Sequence, residues 1–160
     1  LRSSLSSANE SHGNMSSERM VVAYLAHQLS APTREGIEAN RRLASEWAAW
    51  ACLQGVSPVC SWIVLTGVLE EIPENRARGL ACDCAQVERC DILLHVGPAV
   101  SSGMQMEADH GVKHGVPVLD LTGLMPDAAA HVLGEWIREH SRRCDTMPAP
   151  ADVEGKVAPC

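Results

Sequence analysis

Residues 91–107 read DILLHVGPAVSSGMQME, and the fold turns on how they are taken. Four of the first six are apolar: Ile92, Leu93, Leu94 and Val96. The run is too short for an interior helix and lacks the alternation of a half-exposed strand. It is predicted as a strand buried on both faces, which requires a sheet covered by helices on both sides. Residues 97–103 (GPAVSSG) form turns, and residues 104–114 read as a helix stopped by Gly115 and Pro117.

The same alternation continues in both directions. Residues 20–26 (MVVAYLA) are predicted as the first strand, followed by a polar loop over residues 27–32. Thr33 can cap the next helix, with Glu35 in its first turn. Ile37, Leu43, Trp47, Trp50 and Ala51 recur at helical spacing until Gly55 ends the helix. Residues 56–60 (VSPVC) make a second strand, and Pro58 puts it at a sheet edge. Residues 61–73 read as a loop that can hold a helical turn, and residues 74–89 as a helix. Beyond the central strand, residues 116–121 (VPVLDL) form a fourth strand. Residues 127–142 form an amphipathic helix with Val132, Leu133, Trp136 and Ile137 on one side.

Strands joined by helices run parallel with right-handed crossovers. The expected fold is therefore α/β: a Rossmann-like, doubly wound, mostly parallel sheet of four to five strands in the order 2-1-3-4, with helices on both faces. The chain reverses direction between the first and third strands, and ligands bind at the carboxyl ends of such a pair. Residues 24–30 and 97–107 therefore border the expected site.

The 160 residues suit one domain. Residues 1–19 are Ser-rich without apolar periodicity and are expected as a disordered arm. Residues 20–144 form the domain, and the Pro-containing residues 145–160 a flexible tail. A net charge of −7 argues against a nucleic-acid polymer as partner. No apolar run reaches membrane-spanning length, and the first residues do not resemble a signal peptide, so a cytoplasmic protein is expected. Seven cysteines, several in apolar stretches, fit free thiols in such a compartment.

Glu107 lies about one turn into the helix that follows the central strand. A carboxylate there could attack an electrophilic sugar carbon. Gly103 lets the backbone approach a ligand, and the free N–H groups of the helix start can hold a hydroxyl or an anion. The plainer alternative makes Ser102 and Gln105 a capping box, with Glu107 only complementing the helix dipole. Asp83 could approach the same crevice from the preceding helix, or face solvent.

Taken together, the first strand, then D-x-x-x-V-x-x-C-D (residues 83–91), then S-x-G-x-x-x-E (residues 101–107) resemble the nucleoside 2-deoxyribosyltransferase-like superfamily, which includes nucleotide N-glycosidases. The resemblance covers roughly residues 21–122. It implies that Glu107 is a nucleophile attacking C1′ and that Asp83 assists the departing base or the sugar. It implies that Tyr24, His27 and Gln28, in and after the first strand, line the pocket. Gly97, Ser101, Ser102, Gly103 and Met104 would form its other wall, with the serines binding sugar hydroxyls or a 5′-phosphate. The run Tyr24-Leu-Ala-His27 lacks the glycine-containing turn usual in that family, and the chain has no Phe. Base stacking would then fall to Tyr24, Trp62 or Met104. The implied activity is cleavage or transfer at the N-glycosidic bond of a nucleoside or nucleoside monophosphate, without a cofactor, in a homo-oligomer. The rival reading is a non-catalytic sensor for a nucleotide-derived ligand.

Two metal readings compete with these. Cys82, Cys84 and Cys90 have poor spacing for structural zinc. Glu107, His110 and His114 share a helical face, but His114 beside Gly115 more simply complements a helix end. No metal is expected at the site.

Overall fold

A computed structural model describes residues 19–70 and 72–146. Nearly all of the expected N-terminal arm and C-terminal tail lies outside the described residues. Four strands, β1 (Val22–Ala26), β2 (Ser57–Val59), β3 (Ile92–His95) and β4 (Val118–Asp120), form one all-parallel sheet in the order β2-β1-β3-β4. Among the described residues five helices connect and follow them: α1 (Arg34–Leu53), α2 (Trp62–Val68), α3 (Pro73–Val87), α4 (Ser102–Lys113) and α5 (Pro126–Thr146). The Rossmann-like α/β architecture and its strand order are as expected. Pro58 lies on the edge strand, where its missing N–H interrupts no ladder.

β1 and β3 are enclosed on both faces, which explains their largely apolar sequence. Val21, Ala23 and Leu25 pack with Trp47, Trp50 and Ala51 of α1 and with Ala129 and Leu133 of α5. Tyr24 and Ala26 point the other way, onto Trp62 of α2, Val87 of α3 and Met104 of α4. Thr33 caps α1, its Oγ1 accepting from Gly36 N at 3.1 Å. Asp91 ties down the entrance to β1, accepting from Val22 N and from Arg19, each at 2.8 Å.

The segment expected as a loop holds α2. Its residues (WIVLTGV) are largely apolar and β-branched, and Ser61 makes no side-chain cap bond, so local start signals are missing. Tertiary packing supplies what propensity does not. β2 pairs with β1 only as far as Tyr24, so the Leu25 carbonyl has no strand partner on that side. The buried Trp62 indole N–H donates to it at 3.0 Å. Trp62 is thus a fixed wall in the first turn of a helix rather than a loop residue. Among the described residues, no helix is long and apolar enough to cross a membrane.

Replacing Trp62 by Phe keeps most of the apolar volume but orphans the buried Leu25 carbonyl. Such a group costs roughly 1–3 kcal/mol. Urea denaturation should show a loss of that size, and an unchanged midpoint would contradict this role for the indole.

Candidate active site

β1 and β3 lead to opposite sides of the reversal point, and a cavity of about 460 Å³ opens beside their carboxyl ends. His27, Trp62, Asp83, Ser101, Ser102, Gly103, Met104 and Glu107 all border it, so most of the expected site is brought together. The volume falls in the range of small-molecule sites.

Glu107 and Asp83 are each only 8% exposed and enter from α4 and α3. The Tyr24 hydroxyl, on β1, donates to Glu107 Oε1 at 2.9 Å. Burial pushes the Glu107 carboxyl up to about 7; the Tyr24 hydrogen bond opposes the rise and the neighbouring Asp83 adds to it. Burial likewise raises Asp83 to about 6 against a lowering contribution from Tyr24. The Tyr24 phenol is itself driven well above its ordinary range by burial and the two carboxylates, so it stays a donor. Midway between those two values the carboxyls together hold about one proton, and their titration belongs to the pair.

Two polar atoms at the cavity lack a partner among the described residues: Asp83 Oδ1 and His27 Nε2. The His27 Nδ1–H donates to the Gln28 carbonyl at 2.7 Å, which leaves Nε2 a bare acceptor. Burial holds this ring below its usual pKa and therefore neutral. Gly97, at φ +93°, makes room for it: a Cβ there would stand 2.6 Å from the ring. Gly97 thus supports the site from behind, outside the cavity lining.

The start of α4 departs from the expected capping. Ser101, not Ser102, is the N-cap; its Oγ accepts from Met104 N at 3.3 Å while the Met104 sulfur accepts from Ser101 N at 3.4 Å. Gln105 instead turns to Asp109, donating at 2.8 Å. The buried His95, at the end of β3, donates Nε2–H to the Met104 carbonyl at 3.2 Å and fixes α4 to the sheet. Sequence reading passed over His95; the available signal was an imidazole inside an apolar run, which must find a partner.

Other expectations are corrected. The Tyr24 ring is fully enclosed, so no base can stack on it; its contribution is the hydroxyl beneath Glu107. Gln28 donates to the Ser30 carbonyl and does not line the cavity. Glu107 does not join His110 and His114, because it turns inward to Tyr24; Glu88 takes its place beside them. Cys82, Cys84 and Cys90 form no ligand cluster among the described residues and are free.

The family model described as a domain of unknown function, DUF7768, matches residues 26–121. The chain belongs to the DUF7768 family. The DUF7768 match runs from the last residue of β1 to the residue after β4 and takes in His27, Asp83, Ser101 and Glu107. Tyr24 precedes it by two positions. A comparison with curated proteins finds no match.

Both carboxyls are raised on folding, so the folded state binds more protons than the unfolded chain between about pH 4 and pH 7. Their burial is harmless in acid and lowers stability as pH rises through that window. Glu107→Gln keeps an acceptor for Tyr24 and cannot ionise. At about 1.4 kcal/mol per pKa unit, the variant should exceed the parent at pH 8 by on the order of 3 kcal/mol. The advantage should shrink toward pH 4. Urea titrations at several pH values measure this, and a pH-independent difference would exclude a raised Glu107.

Proposed function

We propose that this chain cleaves or transfers at the N-glycosidic bond of a nucleoside or nucleoside 5′-monophosphate, with Glu107 as nucleophile and Asp83 as acid. The observation behind this reading is the pair of buried carboxyls, from two helices, sharing about one proton beside a single cavity. Such a site can present a nucleophile and an acid together near neutral pH.

The productive state has Glu107 ionised and Asp83 protonated; with Glu107 raised to about 7 and Asp83 to about 6 this is the minor placement of the shared proton, and the Tyr24 hydrogen bond to Glu107 works toward it. Tyr24 holds Oε1, leaving the other oxygen for C1′. As that oxygen bonds to C1′, the C1′–N bond breaks, its electron pair passes to the base, and the Asp83 proton follows. The oxocarbenium-like transition state is stabilised by the adjacent carboxylate. Water, losing its proton to Asp83, or a second base then attacks C1′ and frees Glu107. Asp83 Oδ1 and His27 Nε2 offer acceptors for sugar hydroxyls or base N–H groups. Trp62 and Met104 offer apolar wall for a base, and the start of α4 at Ser101, Ser102 and Gly103 suits a hydroxyl or phosphate. A cytoplasmic location fits the free thiols. A homo-oligomer is part of the same reading, supported by exposed Val64 and Val68 on α2.

Incubation with a panel of nucleosides and nucleotides, read for free base, tests the proposal. Glu107→Ala should lower turnover at least about a thousandfold, and Asp83→Asn by about a hundredfold or more. Base release by Glu107→Ala at the parental rate would end the nucleophile assignment. Ligands that raise the melting temperature yet yield no product would favour the sensor reading instead.

The pH profile gives a second test. With Glu107 raised to about 7 and Asp83 to about 6, activity should be bell-shaped with its maximum between those values. Tyr24→Phe removes the hydrogen bonding that lowers both carboxyls, so the whole bell should move to higher pH. A bell that stays in place would show that the phenol does not tune these carboxyls.

A further inference from the structure

Away from the cavity, at the seam between the end of α3 and the last turns of α4, three ligand-type side chains converge. Glu88 is the residue after α3, whereas His110 lies in the last turn of α4 and His114, four residues on, is its C-cap. One ligand atom from each lies within 4.8 Å of the other two, the sole such group among the described residues. His110 Nε2 stands 2.8 Å from Glu88 Oε1, and His114 Nε2 stands 3.8 Å from the same oxygen. The two imidazoles stack with centroids 4.3 Å apart.

The tautomer of His114 makes this more than a surface ion pair. Its Nδ1 lies 2.9 Å from the His110 carbonyl, which can only accept, so Nδ1 carries the proton. In the neutral ring Nε2 then presents a bare lone pair toward a carboxylate oxygen, and two acceptors facing each other call for a cation. Metal-bound histidines commonly have this arrangement, with the far ring nitrogen donating to a backbone carbonyl. Ligand atoms about 2.0–2.2 Å from one ion stand roughly 3–4 Å apart, close to the spacings seen here.

We propose that Glu88, His110 and His114 form a binding site for a divalent late-transition cation of the zinc class. Two imidazoles and one carboxylate suit zinc with a fourth position left to water. The ion would join α4 to the residue following α3, and so brace the two helices that carry Glu107 and Asp83. The site stands independently of the glycosidic reading, because none of its three ligands borders the cavity.

Calorimetric titration of the untagged, reduced full chain with zinc should show a site that weakens at least tenfold in Glu88→Gln and disappears in the His110→Ala/His114→Ala double variant. His131→Ala, which removes another exposed histidine paired with a glutamate, should leave it unchanged. Zinc should also raise the melting temperature of the parent but not of the double variant. Long-range ¹H–¹⁵N spectra of the parent give a readout that needs no variant: zinc should shift Nε2 of both His110 and His114. Undiminished binding in the double variant, or Nε2 resonances that zinc leaves in place, would overturn the proposal.

Discussion

One phenolic proton serves two buried carboxyls, and the local structure follows from that shortage. Tyr24 lies on a central strand, fully enclosed and paired in register with Leu93, so its hydroxyl cannot travel. It donates to Glu107, 83 residues away in sequence. Asp83 Oδ1 is left without a partner. A buried carboxylate in that position is costly, so the pair keeps a proton to a higher pH than either group would in water. A second donor in place of the phenol proton's single bond would have let both carboxyls ionise together.

Holding two such groups in proximity demands rigid support. β3 ends in His95, whose ring fixes the first turn of α4, and Ser101 closes the helix start against Met104. Gly111 lets α4 approach α3: a Cβ there would stand 3.1 Å from a methyl of Val87. The apolar contacts that bring the helices together are thus the same ones that force their acids inward. Packing of this density does not relax readily, which keeps the acids from reaching solvent.

Much of this was legible in the sequence, for identifiable reasons. The largely apolar runs of β1 and β3, the edge proline of β2 and the helical spacing between strands determine a parallel order with one reversal point. The convergence of Asp83 and Glu107 followed from that topology together with the resemblance. α2 was missed because its residues carry neither a cap nor a clear period, and its stability comes from Trp62 meeting a strand carbonyl. Tyr24 was misassigned for a related reason. In a strand buried on both faces the pattern does not say which way a hydroxyl points. Glu88 was overlooked because it lies just past a helix end and meets His110 only across the helix seam.

The distribution of unfavourable groups argues for where a ligand acts. Two of the three buried side-chain atoms that lack a partner among the described residues, His27 Nε2 and Asp83 Oδ1, belong to residues bordering one cavity, as do both raised carboxyls. The cluster formed with α1 and α5 is built from apolar side chains alone. A fold under selection for stability alone would not be expected to gather its unmet acceptors in one place. A ligand carrying hydroxyl or N–H donors at matching positions satisfies those atoms on binding. One lacking them leaves roughly 1–3 kcal/mol of desolvation uncompensated at each. The same unpaired atoms that weaken the empty fold would therefore discriminate between ligands of similar shape.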